Sequence, residues 1–156
     1  MKHAEEVLEH IEYEIVNLMR RADFKKTMDG KRTSLPRSCY LILCRLLEGG
    51  PKSICDLAAG FGLDISTMSR QVQALERRQL VCRETGKANA RTRLITMTAG
   101  GREVVLRLRR QRAALYGELL DDWSRDELES FAAHLAVLNE RIAQRKQLNT
   151  IREGDK

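Results

Sequence analysis

Ser66, Arg70, Gln73 and Arg77 recur at steps of four, three and four residues, with Thr67 and Ser69 beside them. On an α-helix that spacing lines them along one face. Arginine can bridge guanine O6 and N7, and glutamine can pair with adenine N6 and N7. Serine and threonine add small hydrogen-bonding groups for phosphates or base edges. Opposite them Met68, Val72 and Leu75 cluster as an apolar face. One helix over 65–78 thus buries one side and offers groove-reading chemistry on the other.

The elements around this helix must position it. Residues 54–60 predict a short helix with Ile54, Leu57 and Ala58 inward, and Gly60-Phe61-Gly62 predicts the turn. Asp64 is a good N-cap, because its carboxylate can accept the backbone N–H of Ser66 or Thr67. Such a pair is a helix-turn-helix, whose second helix enters the major groove. Leu80 and Val81 start a strand, and Leu94 to Met97 return. Between them Gly86-Lys87-Ala88-Asn89-Ala90 predicts a hairpin tip. Lys87 and Arg91 at that tip suit phosphates or the narrow minor groove, where the potential is negative. Asn89 is placed to orient Arg91.

Charge follows the same segment. The chain has 156 residues with 28 Lys+Arg against 22 Asp+Glu, a net charge of +6, and a pI of about 9.4. Residues 65–93 hold seven cations against two carboxylates, whereas 118–129 hold one cation against six carboxylates. The positive excess therefore sits on the helix and hairpin, as a polyanion partner requires.

Outside this segment, Val7, Ile11, Ile15, Leu18 and Ala22 mark an amphipathic helix over 5–27, roughly 35 Å long. Asp29-Gly30 ends it. Pro36 suits the first turn of a second helix through CYLILCRLLE, apolar nearly all round and so expected in the core. Gly49-Gly50-Pro51 stops that helix. Thr98 can cap a fifth helix carrying Val104, Val105, Leu108, Leu115 and Leu119. Ser124 and Glu127 form a capping box, with Trp123 and Leu128 at the staple positions. Leu128, Phe131, Leu135, Leu138 and Ile142 then make an apolar stripe, and the last ten or so residues read as a frayed polar tail. The domains expected are a dimerisation helix (1–34), a DNA-binding region (35–98), C-terminal dimerisation helices (99–147) and the tail (148–156).

The totals also exclude. No apolar run reaches the roughly 20 residues of a membrane span. The acidic, periodic N-terminus is unlike a signal peptide, so a cytoplasmic protein is expected. Cys39, Cys44, Cys55 and Cys82 lack CxxC spacing, and free, mostly buried thiols are expected. His3, His10 and His134 are too dispersed for a metal site. No nucleophile–base pair or phosphate-cradling loop points to catalysis, and no cofactor is expected.

The order of these elements resembles the MarR family of bacterial winged-helix transcriptional regulators over residues 5 to 146. The carrying residues are Leu57-Ala58, Gly62-Leu63, Ser66-Thr67-Met68-Ser69-Arg70, Leu75-Glu76-Arg77-Arg78 and Leu80-Val81. They are similar to the family run LA…LGLSxSTVSRxVxxLExxGLV. Asn89-Ala90-Arg91 and Leu94-Ile95-Thr96-Met97-Thr98 follow, with Gly101 three beyond Thr98. Asn89 replaces the Asp of the family's usual Asp-x-Arg wing, and Gln79 stands where the family often has Gly.

The resemblance implies a mainly α fold with a small β-hairpin wing, flanked by N- and C-terminal dimerisation helices. It implies a homodimer built from the first, fifth and sixth helices, facing a pseudo-palindromic operator in double-stranded DNA. Long apolar stripes on the end helices support this independently. It also implies a repressor released by a small, often phenolic or anionic, effector; Met19, Arg37 and Tyr40 are the candidates for its site. The alternatives are a redox-sensing regulator of the same fold and a winged-helix protein-interaction module. Against redox sensing, the first helix holds no cysteine, and peroxide sensors of the family commonly keep theirs there.

Overall fold

The computed structural model describes residues 2–20, 35–86 and 93–154. Among them are six helices and three strands: α1 (Lys2–Arg20), α2 (Arg37–Gly49), β1 (Lys52–Ser53), α3 (Ile54–Phe61), α4 (Ile65–Arg77), β2 (Val81–Thr85), β3 (Arg93–Met97), α5 (Ala99–Leu119) and α6 (Arg125–Gly154). The chain divides into two compact units, Met1–Arg37 and Ser38–Lys156. The fold is mainly helical with a small antiparallel sheet, in strand order β1-β3-β2.

In the first unit, α1 begins at Lys2, three residues before the expected helix start at residue 5. Its Val7, Ile11, Ile15 and Leu18 are exposed. Ala22 and the Asp29-Gly30 stop lie outside the described residues.

The core of the second unit is aliphatic. Ile42, Leu43 and Leu46 of α2, Leu57 and Ala58 of α3, Met68, Val72 and Leu75 of α4, Ile95 of β3, and Val105 and Leu108 of α5 are all buried. Each of these side chains larger than alanine contributes about 1.5–3 kcal/mol when removed from water, before ordering costs. The α2 helix departs from its all-round apolar reading. Cys39, Ile42, Leu43 and Leu46 are buried, but Leu41 is exposed. Its N-terminus follows Pro36 directly, and Gly50, at φ +68°, ends it.

Local signals explain the helix boundaries. Ser53 caps α3 by accepting Asp56 N–H at 3.0 Å. This helix runs through Gly60 and Phe61, so the turn sits later than expected, at Gly62–Asp64. Gly62 adopts φ +59°, and its N–H donates to Ala59 O while Leu63 N–H reaches Ala58 O. The left-handed backbone there favours glycine. The capping box at α6 forms as read: Ser124 N–H donates to Glu127 Oε2 at 2.8 Å, and Glu127 N–H to Ser124 Oγ at 3.3 Å. Trp123 stands edge-on to Phe131, their ring centroids 5.3 Å apart.

The α6 helix continues to Gly154, past the end expected near 147, so most of the 148–156 segment is helical. Leu, Arg, Lys and Gln predominate over 144–148, and all are good helix formers. No helix among the described residues is long and apolar enough to cross a membrane.

Candidate nucleic-acid interface

The faces of α4 separate as its spacing predicts. Met68, Val72 and Leu75 are each 0% exposed, while Ser66, Arg70, Gln73 and Arg77 are exposed. Thr67 and Ser69 are half-buried at the margins. One helix face therefore anchors the element and the other carries cationic and amide groups into solvent.

The N-terminal turn of α4 is knotted around Asp64. Its carboxylate accepts Thr67 N–H at 2.8 Å and the Thr67 hydroxyl at 2.7 Å. The Ser66 hydroxyl donates to the same carboxylate. These bonds, the Ser66 hydroxyl first and the Thr67 groups after it, hold the Asp64 carboxyl well below the usual carboxylate range. Both hydroxyl protons expected to meet DNA are thus taken up by the exposed Asp64 carboxylate, leaving the oxygens as acceptors.

One side-chain pair joins α4 to the sheet, and two further contacts fix the turn that follows α4. Arg83 of β2 forks onto Glu76 of α4, with Nε to Oε1 at 2.9 Å and Nη2 to Oε2 at 3.3 Å. A bidentate pair of this kind fixes direction as well as distance. At the C-terminus of α4, Gln79 adopts φ +58°. Its N–H donates to Glu76 O at 2.8 Å. This left-handed backbone is the physical reason a glycine suits the position. Finally, the Thr98 hydroxyl donates to Gln79 O at 2.7 Å and accepts Gly101 N–H at 3.0 Å, capping α5. A Cβ on Gly101 would stand 2.0 Å from Leu80 O, so α5 packs here against bare backbone.

The sheet is larger than a hairpin. β2 pairs with β3 from Val81↔Met97 to Thr85↔Arg93. β1, which was not foreseen, pairs Lys52 with Ile95 and Ser53 with Leu94. Ser53 thus pairs with the sheet and caps α3 at once, tying the first helix of the motif to the wing strand. The hairpin-tip candidates Lys87, Asn89 and Arg91 lie outside the described residues.

The remaining candidates lie on α1 and α2. Met19 on α1 is 81% exposed, and Arg37, the first residue of α2, is exposed. Tyr40 is half-buried beneath Arg112 of α5, whose guanidinium lies 3.8 Å from the ring centroid. Arg112 was missed in the sequence because no local spacing links it to Tyr40. Burial, and next the neighbouring Cys44, raise the Tyr40 pKa. Near them Arg109 pairs with Glu48. All four cysteines are free, but only Cys39 is buried; Cys44 and Cys82 are half-buried and Cys55 is exposed. This corrects the expectation of mostly buried thiols. Burial raises the Cys39 pKa, which disfavours its reactive thiolate.

Two helices around a tight turn, with a sheet held against the second, make a winged helix-turn-helix. A model of the MarR family matches residues 35–92. The chain is 37% identical over 132 residues to the uncharacterized HTH-type transcriptional regulator YxaD of Bacillus subtilis (strain 168), covering 85% of this chain and 92% of that one. It belongs to the MarR family: a transcriptional regulator with a DNA-binding winged-helix fold, not an enzyme. Solved structures share the fold. The transcriptional regulator SlyA matches with a TM-score of 0.68 at 23% identity, covering 88% of this chain and 97% of that one. BldR from Sulfolobus solfataricus gives 0.69 at 24% identity, with coverages of 90% and 99%.

Proposed function

We propose that this regulator is a cytoplasmic, homodimeric repressor that binds a pseudo-palindromic operator and leaves it when a small effector binds. The observation that carries sequence-specific binding is the division of α4. Its apolar face is fully buried, while Arg70, Gln73 and Arg77 stand out from a helix braced to the wing by Glu76–Arg83. Residues 35–98 form the DNA-binding region. Ser66, Thr67 and Ser69 contribute oxygens at its leading end, and Lys87, Asn89 and Arg91 follow the backbone from the wing.

The dimer reading is supported by exposed apolar side chains on the segments assigned to it, 1–34 and 99–147. Val7, Leu8, Ile11 and Val16 of α1 and Phe131, Leu135 and Ile142 of α6 are all exposed. Two-fold pairing would set the recognition helices in successive major grooves, roughly 34 Å apart. Effector release is supported by Tyr40 and Arg112, whose ring and guanidinium suit an aromatic or anionic molecule. Met19 and Arg37 are tested with them.

Selection of bound sequences from a random duplex library tests the reading. A two-fold symmetric sequence is expected. Arg70→Ala and Gln73→Ala should each lose about 1–3 kcal/mol of discrimination at one base pair. Arg91→Ala should weaken all duplexes alike and flatten the salt dependence. Parent-like binding by Arg70→Ala and Arg91→Ala would reject this interface.

A further inference from the structure

The leading end of α4 carries one side chain that the hydrogen-bonding account leaves over. Ile65, the first residue of the helix, is 56% exposed. Among the described residues from Pro51 to Thr98 it is the only large apolar side chain classed as exposed; the others lie on α1, α2, α5 and α6 or in the turn between the last two. Its neighbours at the tip are already engaged with one another. Asp64 accepts from the Ser66 and Thr67 hydroxyls and from Thr67 N–H. Both hydroxyl protons at this end are therefore taken up by Asp64, and beside them a branched hydrocarbon stands exposed.

Its direction matters as well. A Cα–Cβ bond in a helix tilts toward the N-terminus, so the side chain of a first residue extends past the helix start. That end of a recognition helix is the one that contacts base edges. The edges exposed in the major groove are donors and acceptors, with a single apolar exception, the C5-methyl of thymine. Isoleucine is stiff at χ1, so little rotamer freedom is lost when it meets a partner.

We infer that Ile65 determines specificity by packing against a thymine methyl group in each half-site, an inference that rests on the α4 reading proposed above. The pattern divides the exposed residues of the helix by chemistry. Arg70 and Gln73 read hydrogen-bonding edges, and Ile65 reads the one hydrophobic feature of the groove.

The test uses the full chain and a duplex chosen by selection from the random library. Each thymine is replaced in turn by uracil, which removes only the methyl group. At one position in each half-site the parent protein should bind the uracil duplex about fourfold more weakly, the loss corresponding to one methyl group removed from water. Ile65→Ala should bind thymine and uracil duplexes equally, and Ile65→Val should keep most of the preference. Because Ile65 is exposed, both variants are expected to fold. If no thymine-to-uracil change separates the parent from Ile65→Ala, the inference is overturned. Arg70→Ala on the same duplex distinguishes the two levels. Loss of sequence preference there, with no thymine effect, rejects Ile65 alone; unchanged binding rejects the α4 reading and Ile65 with it.

Discussion

The α4 and α6 helices both carry an apolar stripe, and their surroundings differ completely. In α4, Met68, Val72 and Leu75 are each 0% exposed. In α6, Leu128, Phe131, Leu135, Leu138 and Ile142 are between 37% and 58% exposed. One stripe is satisfied within the chain and leaves a polar face in solvent. The other remains in water, where contiguous apolar surface is unfavourable unless something covers it. The contrast teaches that apolar periodicity specifies a buried face without saying which molecule buries it.

The sharpest break of the comparison comes from truncating both stripes. Leu75→Ala should destabilise the protein by about 2–5 kcal/mol, through lost burial and the cavity left behind. Urea denaturation should show this at every protein concentration. Leu135→Ala should change the dilute protein by only about 0.5 kcal/mol. Its cost should grow with concentration as the proposed dimer forms. Equal, concentration-independent losses would erase the distinction between the helices.

Next in size is Gly101→Ala. The added Cβ would meet Leu80 O at 2.0 Å, and the backbone shift should cost about 1–3 kcal/mol. Thermal denaturation measures it, and a parent-like Tm would mean that the joint between the wing and α5 yields freely.

A smaller effect of opposite sign is expected at the end of α4. Gln79 holds φ +58°, so Gln79→Gly should stabilise by about 1 kcal/mol. The midpoint of chemical denaturation should rise without a change in slope.

The smallest expected effect is a pH dependence at the starts of α4 and α6. The folded-state pKa of Asp64 is depressed below its ordinary 3.8. The stabilisation it provides is therefore complete above that ordinary value and is lost as pH falls toward the folded value. Glu127, held down chiefly by the Ser124 hydroxyl and then by its backbone N–H, acts with the same sign at α6. Asp64→Asn should remove only the α4 part, seen as amide exchange near Thr67 that no longer accelerates in acid.

Features encoded by short spacings were legible in the sequence. A 3.6-residue period separated the α4 faces, and Asp64, Thr98 and Ser124 marked helix starts because each lies three residues from its bonding partner. What escaped depends on distant or minimal cues. A two-residue strand is too short to show alternation, so β1 was invisible. Arg112 reaches Tyr40 only through the packing of α5 on the core. The engagement of the Ser66 and Thr67 hydroxyls by Asp64 depends on rotamers rather than composition. The exposure of Leu41 was hidden because an apolar helix does not announce which side its neighbours will cover. The exposure of Ile65 was hidden for the same reason.

The single hydroxyl of Thr98 spans two elements, bonded to the end of α4 on one side and to the first turn of α5 on the other. Mechanically it is a hinge pin with very little play. With Gly101 pressed on Leu80, α5 cannot tilt at this end without carrying Gln79 along or breaking the Thr98 bridge. The helix proposed to read DNA and the helix beside it therefore share one joint, through which a displacement of either would be felt by the other.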